Sequence, residues 1–304
     1  MDSAIAWLKG LFPPIATAFA ADGSLALPPE GYLEWLRDGG LDGVVALGSN
    51  GEAASLTDDE RLTWIRSVKA RLPSPLRLIV GTGAESSRAT IERTKAAADL
   101  GAEAALVIAP SYYQRQLTVE ALRRHYHAVA EASPIPVLVY NVPGHMGYDL
   151  GAERMIAVAG HRNIAGLKDS SGDIGRLPQL RAALGPDFVL LTGTGEKLLD
   201  ALTHGADGAI AALANLAPAG SANIRHDWQE NRLQEAEQHQ KRIAPLGQAL
   251  THGYGVPGLK AALRLLGFNH GDPRPPLPPL PASELPEVRR LLTQAQLEPR
   301  ALAS

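Results

Sequence analysis

Short apolar runs recur along this chain at intervals of roughly 20–35 residues, about one strand–helix unit apiece. The first lies near Phe12–Ala18. It is followed by Gly43–Leu47, Arg77–Val80, Ala104–Ala109, Pro136–Tyr140, Asn163–Lys168, Phe188–Thr192 and Gly208–Ala211. Each run is continuous, whereas a strand with one wet face would alternate, so these strands are expected to be parallel and covered on both sides. The stretches between them start like helices. Thr57-Asp58-Asp59-Glu60 fits a capping box, in which hydroxyl and carboxylate satisfy each other's orphan amides, and Leu62, Ile65, Val68 and Lys69 continue at helical spacing. Thr118 opens a similar segment with Val119, Leu122, Tyr126 and Val129 on one side. Eight such units in about 215 residues predict an α/β fold, a (β/α)8 barrel.

The competing architecture is a doubly wound nucleotide-binding sheet, whose motifs are incomplete here. Gly81-Thr82-Gly83-Ala84-Glu85-Ser86 carries two of the three fingerprint glycines, and Gly193-Thr194-Gly195-Glu196-Lys197 lacks the spacing of a phosphate loop. Both read better as loops after barrel strands. The expected division is a barrel over 1–217 and a helical C-terminal region over 218–304. In that second part Ser221–Leu266 looks helical, and Pro273–Pro281 looks like a rigid surface strap. Ser283 is placed to cap a last helix running to about Gln296, with Pro286 in its first turn.

Composition removes several function classes. A net charge of -3 offers no basic footprint for nucleic acid, and with Cys 0 there is no disulfide, thiolate metal site or cysteine nucleophile. The apolar stretch Ala209–Ala219 is far short of the roughly 18–20 residues of a membrane helix, and Met1–Leu11 lacks the layout of a signal peptide. The expectation is a cytoplasmic protein with neither membrane nor nucleic-acid partner.

Barrel enzymes carry their chemistry where strands end. Glycosidases need two carboxyl groups flanking the bond, but the fourth and seventh runs end without any. His125 and His127 are two apart on an expected helix and face different ways, so nothing asks for a metal. Lys168 stands out. Only seven of the 29 basic residues are lysines, and Lys168 alone ends an apolar run. Burial there favours the neutral amine that a Schiff-base nucleophile needs, although a lysine paired with Asp169 or reaching to the rim fits equally. Tyr140, ending the preceding run, is either packing or a phenol that relays protons. Ser49 and Asn50, in a glycine-flanked turn, are either turn formers or donors aimed at a substrate carboxylate.

These residues sit in a set of motifs that resembles the dihydrodipicolinate synthase / N-acetylneuraminate lyase family of pyruvate-dependent class I aldolases. The set is Gly48-Ser49-Asn50-Gly51-Glu52 with Leu56-Thr57, Tyr112-Tyr113, Tyr140-Asn141-Val142-Pro143, Gly166-Leu167-Lys168-Asp169 and Ala214-Asn215. The resemblance spans Gly10 to about Pro279. It implies Lys168 as the Schiff-base lysine, Tyr140 as proton relay, and Ser49 and Asn50 as the pyruvate-carboxylate turn. It further implies that Tyr113 acts across a subunit interface, that the Ile210 backbone touches pyruvate, and that Ser170 and Gly193 meet the rest of the substrate. It also implies a homotetramer built as a dimer of dimers, a small 2-oxo acid substrate and no cofactor.

Within the family, the synthases are expected to carry arginine where His145 stands, and a largely neutral imidazole cannot replace a guanidinium clamp. Ser49-Asn50, Pro110-Ser111-Tyr112-Tyr113 and Gly255-Val256-Pro257-Gly258-Leu259-Lys260 look most like 4-hydroxy-2-oxoglutarate aldolases, which release pyruvate and glyoxylate. The alternatives are 4-hydroxy-tetrahydrodipicolinate synthesis, a sugar keto-acid aldolase or dehydratase, and a keto-acid-binding protein without turnover.

Overall fold

The computed structural model describes residues 5–299. Eight parallel strands form one sheet in the order β1-β8-β7-β6-β5-β4-β3-β2, where β1 is Leu11–Phe12, β2 Gly43–Ala46, β3 Arg77–Gly81 and β4 Ala104–Ile108. The others are β5 Val137–Asn141, β6 Ile164–Asp169, β7 Val189–Thr192 and β8 Gly208–Ile210. A parallel bridge from Pro14 to Val45 joins the two ends, so the sheet closes as a (β/α)8 barrel. Strands β2, β5, β6 and β7 are buried along their whole length, which is why their sequences do not alternate.

The first strand is much shorter than its apolar run. Pro13 and Pro14 have no N–H to donate, so regular pairing stops at Phe12 and continues only through Val45 N–H to Pro13 O at 2.9 Å and Ile15 N–H to Val45 O at 2.9 Å.

Helices α1 (Tyr32–Asp38), α2 (Asp58–Arg71), α3 (Ser87–Asp99) and α4 (Val119–Ala132) follow β1 to β4. Next come α5 (Pro143–Met146), α6 (Gly151–Val158), α7 (Leu177–Leu184) and α8 (Leu198–Thr203). The Thr57–Glu60 capping box forms in both directions, and the Thr118 hydroxyl accepts Ala121 N–H at 3.1 Å. His125 is buried against Ser87 Oγ at 2.9 Å, as a core histidine should be.

Beyond the last strand lie α9 (Pro218–Gln229), α10 (Leu233–Ala249), α11 (Gly255–Leu265) and α12 (Leu285–Gln294). The first of these opens on Pro218, three residues before Ser221, because proline is pre-organised for a helix's first position. Ser283 does not cap the last helix. It lies inside a 3-10 turn, Ala282–Glu284, that feeds α12 directly, with Pro286 in its first turn as expected. Ile224, Ile243, Leu246, Leu259 and Leu292 bury into one core with Leu33, Leu41 and Leu213. The C-terminal helices therefore pack on the barrel itself. Among the described residues no helix is long and apolar enough to cross a membrane.

Candidate active site

The register of two neighbouring strands assembles the centre. Tyr140 on β5 lies opposite Lys168 on β6, and Asn141 lies opposite Asp169. Successive strand residues point to opposite faces, so each pair projects together and the two pairs diverge. Lys168 Nζ stands 4.0 Å from the centre of the Tyr140 ring, and both residues are 5% exposed. The Tyr140 hydroxyl is 3.2 Å from Ser49 Oγ. Ser49 comes from a 3-10 turn, Ser49–Gly51, directly beyond β2, with half-buried Asn50 beside it. Three strand ends far apart in sequence thus place an amine, a phenol and a hydroxyl in one line of contacts.

Asp169 does not pair with Lys168. Its carboxylate accepts Asn141 Nδ2–H at 2.8 Å, Ser171 N–H at 3.0 Å and Ser171 Oγ–H at 3.0 Å, with the Arg176 guanidinium 3.4 Å away. Burial pushes this carboxyl up, and those donors oppose the shift. Asn141 also donates to Asp149 Oδ1 at 2.9 Å and accepts Leu150 N–H at 3.1 Å. Arg176 grips Asp149 with two bonds, which hold that carboxyl down at about 2. This network ties β5, β6 and the start of α6 together on the side away from the amine. Its central member, Asn141, escapes sequence reasoning because its partners are fixed only by the strand register.

Other sequence candidates are arranged more loosely. Ser170 follows Lys168–Asp169 and donates its N–H to Asn141 O at 2.9 Å. Gly193, beyond β7, donates its N–H to Asp169 O at 2.7 Å and comes so close to Ser170 that a Cβ would collide with the Ser170 side chain. Ile210 is fully buried on β8 opposite Phe12. Tyr113 joins none of the contacts around Lys168. It is 65% exposed, and its ring packs edge-on against Tyr112, itself 78% exposed. Glu85 anchors that aromatic loop by accepting Ser111 and Tyr112 N–H, each at 2.9 Å.

His145 lies on α5, just beyond β5, and desolvation by its surroundings and then the positive charge of Lys168 lower its imidazole below the ordinary value. Among the described residues no three His, Asp or Glu side chains converge as a metal-ligand cluster. A cavity of about 210 Å³ opens between α2 and α3, lined by Arg61, Leu62, Ile65 and Arg93 and by the end of β3, but Ser49, Tyr140 and Lys168 are not in its lining. The reactive groups are gathered at the rim, and the rim is where the chemistry is to be sought.

Known proteins resemble this chain over nearly its whole length. The model of the dihydrodipicolinate synthetase family matches residues 7–295. A 4-hydroxy-tetrahydrodipicolinate synthase of Stenotrophomonas maltophilia is 37% identical over 91% of this chain and 92% of its own length. A probable mitochondrial 4-hydroxy-2-oxoglutarate aldolase of Emericella nidulans is 35% identical over 88% of this chain and 89% of its own. Among solved structures, a chloride-inhibited dihydrodipicolinate synthase of Acinetobacter baumannii complexed with pyruvate superposes with a TM-score of 0.89. That protein is 34% identical, and the match covers 95% of this chain and 99% of the other.

Proposed function

Because the chain belongs to the dihydrodipicolinate synthetase family, we propose that it cleaves a 4-hydroxy-2-oxo acid, specifically 4-hydroxy-2-oxoglutarate, to pyruvate and glyoxylate. At the coarser level it is a carbon–carbon lyase, a pyruvate-dependent class I aldolase of that family. The observation that supports the Schiff-base chemistry is the line from Lys168 Nζ over the Tyr140 ring to the Ser49 hydroxyl, and His145 in place of an arginine supports the choice of substrate.

In the proposed cycle the Lys168 amine attacks the C2 ketone, and loss of water from the carbinolamine gives an iminium. Tyr140 relays the proton off the C4 hydroxyl. The C3–C4 bond then breaks, its electron pair passes to the iminium, and the aldehyde leaves. Protonation of the resulting enamine at C3 and hydrolysis release pyruvate and restore the amine. The turn at Ser49 and Asn50 holds the C1 carboxylate, and the Ile210 backbone borders the pyruvate end. Ser170 and Gly193 border the distal carbons. Tyr113, exposed on one chain, fits a role across an interface in a homotetramer.

His145 favours cleavage over condensation with an aspartate-derived aldehyde. A lowered imidazole is neutral at pH 7 and presents one donor where a guanidinium would present a fork. Two measurements test the reading together. Borohydride with pyruvate should leave a reduced adduct on Lys168, and 4-hydroxy-2-oxoglutarate should be cleaved faster than the aspartate-derived aldehyde is condensed. An adduct on another lysine sinks the site, and the reverse substrate preference sinks the substrate.

A further inference from the structure

The most deeply buried lysine among the described residues is Lys260, on α11, which is 1% exposed. Its ammonium lies 2.6 Å from Glu52 Oε1, and the Glu52 side chain is itself sealed from solvent. Glu52 is the single residue between the turn Ser49–Gly51 and a second 3-10 turn, Ala53–Ser55, and its φ is 52°. That left-handed conformation is unfavourable for a residue with a Cβ and persists where its surroundings hold it.

The surroundings come mostly from the far end of the chain. Glu52 Oε2 accepts Arg274 N–H at 2.8 Å. Lys260 also donates to Asp272 O at 3.1 Å and sits 4.3 Å from the centre of the Phe19 ring. The Arg274 guanidinium covers the same ring at 4.4 Å, donates to Ser55 O at 2.8 Å, and binds both oxygens of Glu60. From the barrel side, Thr17 Oγ1–H donates to Gly51 O at 2.6 Å. The segment 260–274 therefore grips one end of the turn whose other end carries Ser49 and Asn50.

We propose that Glu52, clamped by Lys260 and the Arg274 backbone, is a positioning residue that sets the Ser49–Asn50 turn for a 2-oxo acid carboxylate. The proposal rests on the function read above. A buried ion pair adds little net stability compared with apolar side chains of the same volume. What it adds here is orientation: a carboxylate with separate partners on its two oxygens cannot swing without stranding a buried charge. Donors that recognise a carboxylate tolerate little displacement, so loosening the clamp should weaken capture of the substrate and spare the amine chemistry.

The double variant Glu52→Gln/Lys260→Met removes both charges at nearly constant volume and avoids a lone buried ion. Adduct formation at Lys168 is followed by borohydride trapping as a function of pyruvate, and again with methyl pyruvate, which lacks the carboxylate charge. The expected result is a rise of about tenfold in half-saturating pyruvate. Limiting trapping and the methyl pyruvate response should stay unchanged. Should the double variant not fold, Glu52→Gln alone is measured, since its amide oxygen can still face Lys260. An unchanged pyruvate response in a folded variant, or equal losses with both probes, overturns the proposal. Absence of any Lys168 adduct in the parent protein overturns the underlying functional reading instead.

Discussion

Replacing Asn141 by alanine separates the scaffold behind the site from the reacting groups. Asn141 makes three side-chain hydrogen bonds, two of them to carboxylates, at 2.8 Å to Asp169 and 2.9 Å to Asp149, and one from Leu150 N–H at 3.1 Å. Hydrogen bonds to charged acceptors are worth about 1.5–3 kcal/mol each, and a buried N–H left unpaired costs about 1–3 kcal/mol. Simple addition overstates the loss. Asp149 keeps its two Arg176 bonds, and Asp169 keeps both Ser171 donors. A destabilisation of about 3–5 kcal/mol is therefore expected. That is severe against a typical total of about 5–15 kcal/mol, yet compatible with a folded protein. Urea unfolding followed by circular dichroism measures it. Asn141→Asp should be at least as damaging, because it sets a third acceptor against two carboxylates. Within the proposed function the trapped adduct should still form on Lys168, at a higher pyruvate demand, since the amine itself is untouched. A loss below about 1 kcal/mol, the size of one ordinary hydrogen bond, would refute the network's assigned role.

Three further expectations follow from the same geometry. Tyr140→Phe keeps the ring 4.0 Å from Lys168 Nζ and removes only the hydroxyl near Ser49. Turnover should fall by roughly 10²–10⁴-fold while borohydride still traps pyruvate, and a turnover within tenfold of the parent would remove Tyr140 from proton transfer. Gly193→Ala forces a Cβ to within 2.7 Å of Ser170 Cβ and 2.9 Å of Ser170 Cα, an overpacking cost of about 1–3 kcal/mol. A melting temperature equal to the parent's would show that the two loops part freely. Burial lowers His125 from 6.5 to about 4 and His270 from 6.5 to about 3, so the fold holds both neutral. Their contribution is complete above pH 6.5. It is lost as pH falls toward 4 and below, because the unfolded chain takes up protons first. Unfolding free energies from urea titrations at pH 7.5 and pH 5 should differ by on the order of a few kcal/mol, the lower pH being less stable; equal values would show that both imidazoles protonate freely in the fold.

What the sequence reveals of this fold, and what it hides, divides along a physical line. Strands buried on both faces must be apolar throughout, so seven of the eight strands appear as runs whose ends differ from the folded ones by one residue at most, as Pro136–Tyr140 does from Val137–Asn141. The capping box at Thr57 is equally local and equally visible. The first strand misleads because hydropathy says nothing about donors, and two prolines end the ladder inside an apolar run. Ser283 misleads for the converse reason: a good cap residue stands beside the helix, but the 3-10 turn supplies the continuity that a cap would otherwise provide.

The two buried lysines carry the lesson furthest. Lysine scarcity and an apolar run single out Lys168, because both signals lie within a few residues of it. Lys260 has no such signature. It sits on a helix, and the carboxylate that makes its burial tolerable comes from the opposite end of the chain. Pairing also decides what each amine can do. Burial pulls Lys260 below the ordinary lysine value, but Glu52 at 2.6 Å opposes that shift, and an ammonium held in an ion pair has no lone pair to offer a ketone. Among the described residues Lys168 makes no ion pair, and the adjacent carboxylate of Asp169 is turned to Arg176 and Asn141. A nucleophilic amine requires burial and the absence of a counter-charge together. The sequence displays the first of these for Lys168, while the second emerges only from the strand register that sends Lys168 and Asp169 to opposite faces.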